Sequence, residues 1–578
     1  MPAAMANPSQ SVLIELKGAD AFLPLLEDNL QIIRATRDAE PPPDELQRLI
    51  RLTPDQIKDL LATEGYFSPQ ISEASISSNA DQASQKIIRF NVAPGLPTLV
   101  TKTDLQFTGH IANDDAAATR IADLRARWSL KAGQVFRQSQ WDAAKNDLLA
   151  ALLVRDYPAA QMTQSRAAIT PETRRAELAV TIDSGPAFRF GALEVQGLER
   201  YSRKMLENLN MIRQGEPYSQ ERLSELQARV LGTGYFRSAF AMIDPDPAKA
   251  ASVPVRLDVS EVERKRLGVG LGISTDTGPR AQLKWLDRHF MRRDWRLESV
   301  LRVDRQTQLA GAEVYFPALE KGLLGGHLQG WIPSVGTNYE RTELTGETVD
   351  KIRNTARLST PSRKDERVLS AALLLDRRAI PGQEIAIRKA LVAGYSYVRR
   401  RLDQPVAPRS GTVVGVELSA GLGGVLSDRS IARVLAQGLW LQPLGPRWTS
   451  VLRAQVGQIV GANINDTPAD LLFRTGGDQS VRGYTFGSLG VPFGEAIVGG
   501  NVMAVASAEL IYQITPQWGV AVFTDAGNAA ASWQAFRFKQ GSGAGARWRS
   551  PIGAINLDIA RGHDTGQTRL HFSVGYGF

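Results

Sequence analysis

Phe473-Arg-Thr-Gly-Gly-Asp-Gln-Ser-Val-Arg-Gly-Tyr484 lies in a Gly-rich stretch that interrupts a long row of short amphipathic segments. The row continues to the last residue, Phe578. Between Gly461 and Gly500, roughly forty residues show no clear strand. Loops of that length in a compact fold are usually functional or disordered. The apolar and glycine content fits disorder badly. Arg482 stands here between Val481 and Gly483. Folded inward, it requires an acidic partner, because a buried unpaired charge is costly.

The segments on either side have period two. Leu267, Val269, Leu271 and Ile273 alternate with Gly268, Gly270, Gly272 and Ser274. Val414, Val416, Leu418, Ala420 and Leu422 repeat the pattern, as do Ile555, Leu557 and Ile559 against Asn556, Asp558 and Ala560. Apolar residues outward and polar or small ones inward are what lipid outside and water inside require. A sheet this long would leave open edges unless it closed on itself. Eleven such segments precede the loop and five follow it, which predicts a 16-stranded transmembrane β-barrel over 265–578. The last strand ends in Tyr576 and Phe578, with Gly575 and Gly577 on its other face. This resembles the C-terminal targeting signal of bacterial outer-membrane proteins. Two acids belong to inward faces after the loop: Glu509, which shares a face with Ser507, and Asp525, opposite in parity to Val522.

The front half reads differently. Ile88, Phe90 and Val92 alternate before Pro94-Gly95; Leu178, Val180 and Ile182 before Gly185-Pro186; Val255, Leu257 and Val259 before Glu261. A helix precedes each of these strands; Leu148, Leu149, Leu152 and Leu153 share one helical face, as do Leu223, Leu226, Val230 and Leu231. Helix exits match between Glu64-Gly-Tyr-Phe67 and Thr233-Gly-Tyr-Phe236, whereas the middle unit has Asp156-Tyr-Pro158. Gly at such an exit supplies a left-handed turn. The repeat predicts three β-α-α-β-β modules at 10–94, 95–184 and 185–263, with few contacts across their joints and a string able to flex. The fold class is therefore α+β in front and an all-β membrane domain behind.

Composition excludes several classes. Lys+Arg 68 against Asp+Glu 60 gives +8, and no basic stripe interleaves with aromatics, so nucleic acid is not expected. A basic surface beside anionic lipid fits instead. With Cys 0 there is no disulfide framework, thiolate metal site or Cys nucleophile. No run of 18 apolar residues exists, which excludes an inner-membrane helical protein. G-x-S-x-G and H-E-x-x-H are absent and the five His residues are scattered, so no enzyme, cofactor or metal site is expected. Gly541-Ser-Gly-Ala-Gly545 and Gly268-x-Gly-x-Gly272 sit in strand patterns with no helix or Lys-Ser/Thr after them, which favours barrel strands over phosphate loops. A passive porin would lack the front modules and the loop motif. At the start, Ala4-Met-Ala6 has the A-x-A form of a signal cleavage site; a trimmed or misassigned leader and an ordinary frayed terminus both fit.

Val481-Arg-Gly-Tyr484, Ser507-Ala-Glu-Leu510, Phe523-x-Asp-x-Gly527 and the terminal Phe578 together resemble the POTRA–barrel superfamily of outer-membrane assembly and secretion proteins. The resemblance covers essentially the whole chain. It implies that Arg482 pairs with Glu509 and Asp525. It also implies a lateral gate between the Gly-rich first strand (Gly268, Gly270, Gly272) and the last (Gly575, Gly577), through which client strands pair by edge addition. Three modules and this length resemble the TamA type, the barrel subunit of the translocation and assembly module. The BamA type usually carries five modules and two-partner secretion transporters two plus a plug helix. The implied partners are a TamB-like inner-membrane-anchored periplasmic protein, unfolded outer-membrane clients such as autotransporters, and outer-membrane lipid. The implied location is the bacterial outer membrane, with the modules in the periplasm.

Overall fold

The structure is a computed structural model. It describes residues 12–574 apart from 39–40, 79–85, 115–116, 321, 323–326, 345, 363, 405–407, 425 and 551–552. The chain forms two contact units. One comprises residues 1–192, 212–223 and 242–255; the other comprises 193–211, 224–241 and 256–578.

Each front segment builds a small sheet whose central strand is its last. Lys86–Ala93 pairs in parallel with Val12–Lys17 and antiparallel with Gln70–Ile71 and Ser75–Ser78. Arg175–Asp183 pairs in parallel with Leu99–Thr108 and antiparallel with Gln161–Thr170. Val253–Glu261 lies between Phe190–Gln196 and Phe236–Met242. The alternating strands bury one face under a helical stripe. Ile88 and Phe90 pack in one cluster with Ile57 and Leu61. Val180 and Ile182 do so with Leu148 and Leu152. Burial of each such side chain stabilises by about 1.5–3 kcal/mol.

The joints within the first unit are stitched, which corrects the expectation of a flexible string. Thr98 N–H donates to the Gly65 carbonyl (2.8 Å), and Phe136 N–H to the Thr98 carbonyl (2.9 Å). The next joint repeats the pattern: Phe188 N–H donates to Asp156 (2.8 Å) and Tyr218 N–H to Phe188 (3.0 Å). The residue that presents its carbonyl is left-handed both times, Gly65 at φ 93° and Asp156 at φ 65°. Asp tolerates that region better than most residues, so Asp156 does the work of the expected glycine. Within the second unit Gly234 takes the same place, and its carbonyl accepts from Arg288 Nε (2.7 Å). A backbone stitch leaves little side-chain signature, and the sequence therefore reads as loosely jointed.

Behind these segments a single antiparallel sheet of sixteen strands runs in chain order from Lys265–Ser274 to Thr568–Val574. Eleven strands precede the long loop and five follow it. Outward side chains are large, apolar and bare, including Leu271 (85% exposed) and Ile387 (75%). In water that surface would aggregate; in lipid it is the required face. Trp448 packs on Tyr512, and Trp518 stacks on Trp548 with centroids 5.4 Å apart. Such paired aromatics suit a membrane interface.

Within the second unit, Asn208 Nδ2 donates to the Ala318 carbonyl (2.8 Å) and Tyr235 hydroxyl to the Asp294 carbonyl (3.0 Å). These contacts mark the proximal rim of the barrel. The long loop leaves the opposite, distal rim. It contains a short hairpin, Val491–Phe493 with Ala496–Val498, which the sequence reading missed. Three-residue strands are too short to show a period.

Candidate functional site: the lumenal arginine clasp

Parity decides what faces the lumen. In the pairing of Val502–Gln513 with Trp518–Ala530, Ser507 stands opposite Asp525 and Glu509 opposite Phe523. Those side chains project inward, and the loop brings Arg482 to them. Its Nε lies 2.7 Å from Asp525 Oδ2 and its Nη2 2.9 Å from Oδ1, a bidentate pair. Arg482 N–H donates to the same carboxylate at 3.0 Å. Nη1 reaches Glu509 Oε2 at 2.9 Å, and the guanidinium lies over the Phe523 ring. Arg482 is 3% exposed and Asp525 0%.

Two further members were not singled out from sequence. Asp558 Oδ2 accepts from Arg482 Nη1 at 3.0 Å. Arg547 bonds both Glu509 (2.8 Å) and Asp558. The buried group therefore holds Arg482 and Arg547 against Asp525, Glu509 and Asp558. The signal was present: Asp558 alternates with Leu557 and Ile559, so it must face inward. What parity omits is register, which places Asp558 opposite Gly545.

The glycines of Lys539–Ser550 make room for this arrangement. A Cβ on Gly543 would lie 2.7 Å from Phe523 Cζ, and one on Gly541 would strike the Arg482 carbonyl. They are wall positions shaped to admit the loop, as expected of strand glycines and not of a phosphate loop. Gly541→Val is expected to expel the loop from the wall while leaving the strand ladder intact. Limited trypsin digestion at Arg474 and Arg482 reads this out; unchanged protection contradicts it.

The rest of the motif is buried too. Val481 belongs to an apolar cluster with Leu472, Phe473 and Val505. Gly483, at φ 93°, donates its N–H to His571 Nε2 at 2.9 Å. Tyr484 hydroxyl donates to Asp564 Oδ2 (2.7 Å). The loop is also held on the other side of the lumen. Asp470 pairs with Arg353 and with Lys351 (3.3 Å), Thr467 carbonyl accepts from Arg388 (3.0 Å), and Arg474 pairs with Glu347. It is thus a strap across the barrel.

At the loop tip, Asp478 N–H donates to Asp276 Oδ2 (2.8 Å) in the first distal hairpin. Burial, and then the adjacent Asp276 carboxylate, push the Asp478 carboxyl up to about 6. Its folded pKa therefore exceeds the unfolded value of about 3.9. Below pH ~4 both states are protonated and nothing is lost; between ~4 and ~6 the unfolded state sheds its proton first and stability falls. Asp478→Asn is expected to remove that loss, raising the heat-denaturation midpoint at pH 8 but not at pH 4. Equal shifts at both pH values contradict it.

Gly268, Gly270 and Gly272 lie on the first strand, away from the clasp. A Cβ would find nothing closer than 3.8 Å at Gly268 or 3.9 Å at Gly270, and nothing within 4 Å at Gly272. Close packing does not demand glycine there. Gly575, Tyr576, Gly577 and Phe578 lie outside the described residues. Among the described residues no ladder joins the first strand to the last. Between these ends, Phe572 N–H donates to Thr275 Oγ1 (3.0 Å).

The chain is similar to known proteins in sequence and in fold. The outer membrane protein assembly factor BamA of Neisseria meningitidis serogroup B is 22% identical over 570 residues, which cover 90% of this chain and 67% of that protein. A crystal structure of Haemophilus ducreyi BamA lacking POTRA domains 1-3 superposes with a TM-score of 0.59 at 16% identity, covering 83% of this chain and 100% of that one. That likeness speaks to the fold. CdiB from Acinetobacter baumannii gives a TM-score of 0.48 at 14% identity, covering 82% and 90%. A profile of the Omp85 superfamily domain matches residues 264–578, more than half of the sequence. The chain belongs to the Omp85 superfamily.

Proposed function

We propose that this protein is an outer-membrane barrel that assembles or secretes client proteins by opening the wall between its first and last strands. The observation that carries the reading is the sheet itself. Fifteen strand pairings hold sixteen strands, and the sixteenth pairing, which would close the ring, has no ladder among the described residues. A Gly-rich strand with free space on its inner face lies along that seam. Backbone left without a ladder there, among the described residues, would be a template for an incoming β-strand. The front modules are read as POTRA domains in the periplasm, with strand edges open to clients. No catalytic step enters this account.

A photo-crosslinker at Val269, on the first strand, tests it. Capture of unfolded outer-membrane precursors there, and not at Leu369 or Val434 elsewhere in the wall, is the expected result. Equal capture at all three positions contradicts it.

The finer reading is the TamA type, working with a TamB-like inner-membrane-anchored protein on clients such as autotransporters, within outer-membrane lipid. The three modules read in this sequence support it. The similarity to BamA across 90% of the chain favours a general assembly barrel as the second reading. Purification of the native complex in mild detergent separates them: a large inner-membrane-anchored partner supports the first. Its absence, with loss of bulk outer-membrane proteins on depletion, supports the second.

The terminal aromatic is proposed as the assembly signal of the chain itself. Deleting Phe578 should sharply reduce folded, membrane-inserted protein measured by heat-shifted gel mobility. Normal levels after the deletion count against the signal.

A further inference from the structure

Three segments meet at His571. The side chain is 2% exposed and projects inward from Thr568–Val574. Gly483 of the loop donates its N–H to His571 Nε2 at 2.9 Å, so that nitrogen is an acceptor and carries no proton. The remaining proton of the neutral ring then sits on Nδ1. That atom faces Asp276 Oδ1 at 3.5 Å, a charge–dipole contact rather than a formed hydrogen bond, and has no hydrogen-bond partner among the described residues. The other oxygen of Asp276 accepts from Asp478 N–H of the loop at 2.8 Å. Beside it, Thr275 Oγ1 accepts from Phe572 N–H at 3.0 Å. The first hairpin, the lumenal loop and the last strand are thus joined at a point where, among the described residues, no ladder links the two strands.

We infer that His571 is a positioning residue that latches the seam, holding the last strand to Gly483 of the loop by a hydrogen bond and to the Asp276 hairpin by a charge–dipole contact, so that the seam separates only when these contacts are lost. The two ring nitrogens divide the work. Nε2 couples the last strand to the strap, and the strap is itself anchored across the lumen through Asp470 and Arg474. Nδ1 faces the first hairpin. With Nε2 accepting from Gly483, the proton-bearing Nδ1 is the atom turned to the Asp276 carboxylate. Release of the loop at Gly483 removes the bond to Nε2 and leaves the ring held only by its contact with Asp276. Loop position and seam closure are coupled in this way. The inference rests on the reading of the seam as the site of opening.

Spin labels at Leu271 and Leu570, both outward and outside the latch, measure the seam directly in full-length protein in lipid. The expected result is one short distance in the unsubstituted protein. His571→Ala should increase the separated population about three- to tenfold, the scale of losing a net hydrogen bond of ~0.5–1.5 kcal/mol. His571→Gln retains an acceptor for Gly483 but no donor toward Asp276. His571→Asn does the reverse. Each should open the seam by less than His571→Ala. Asp276→Asn added to His571→Gln should open it no further than His571→Gln alone. These variants avoid the Arg482 group, and the heat-denaturation midpoint shows that they fold. An unchanged distance in His571→Ala, or full additivity with Asp276→Asn, overturns the latch. The gate reading fails separately: seam distances that respond as expected, in a protein whose client insertion survives covalent closure of the seam, leave the latch standing and remove the gate.

Discussion

Arg482→Ala is expected to lower the heat stability of the folded barrel by about 3–5 kcal/mol, the usual cost of leaving a buried pair half-made. The reason lies in the charge count. Two guanidinium groups now face three carboxylates, and the substitution leaves Glu509 and Asp558 with Arg547 alone and takes from Asp525 the guanidinium that pairs with it. Asp525 suffers most, because its bidentate partner and the Arg482 N–H both belong to the loop. With the loop displaced, Val481 and Tyr484 leave their apolar and hydroxyl contacts as well. Arg482→Lys should recover only part of the loss. A single ammonium cannot reproduce the planar fork that serves Asp525, Glu509 and Asp558 together. The midpoint of the heat-induced gel-mobility shift measures all three proteins. A midpoint unchanged in Arg482→Ala would show that the clasp does not hold the barrel together.

The parts of this molecule that could be read in advance are those set by the solvent on each side of a strand. Lipid outside and water inside force alternation, and alternation counts the strands: eleven before the loop and five after it. The same parity puts Ser507, Glu509 and Asp525 on the inner wall. It also puts Asp558 and Arg547 there, but their meeting with Arg482 depends on register between strands, which no single strand encodes. His571 was hidden for a related reason. A lone histidine on an inner face has no visible partner until Asp276, nearly three hundred residues earlier, folds beside it. The stitched joints were invisible because their donors and acceptors are main-chain atoms. Asp156 shows this best, since the backbone there repeats Gly65 while the side chain does not. The helical stripes of the front modules were legible because their period differs from that of strands.

Covalent closure of the seam should abolish client insertion, the largest functional effect in this account. Edge pairing requires the first strand to present free N–H and C=O groups. A bond joining it to the last strand removes that option without touching the clasp, the strap or the modules. Thr275 and Phe572 already meet through a hydrogen bond of 3.0 Å, which makes their neighbourhood the place for an engineered cysteine pair. Pairs around Gly270 and Gly575 extend the series along the strands. A disulfide needs Cα atoms roughly 4.4–6.8 Å apart, so several neighbouring pairs are tried and the one that oxidises completely is used. The chain has Cys 0, so any crosslink formed is the intended one.

The decisive measurement is client insertion into membranes by that oxidised protein, before and after reduction, with the heat-denaturation midpoint recorded in both states. A folded barrel that is inactive when crosslinked and active again after reductant is the predicted result. Undiminished insertion by quantitatively crosslinked protein would contradict opening at this seam.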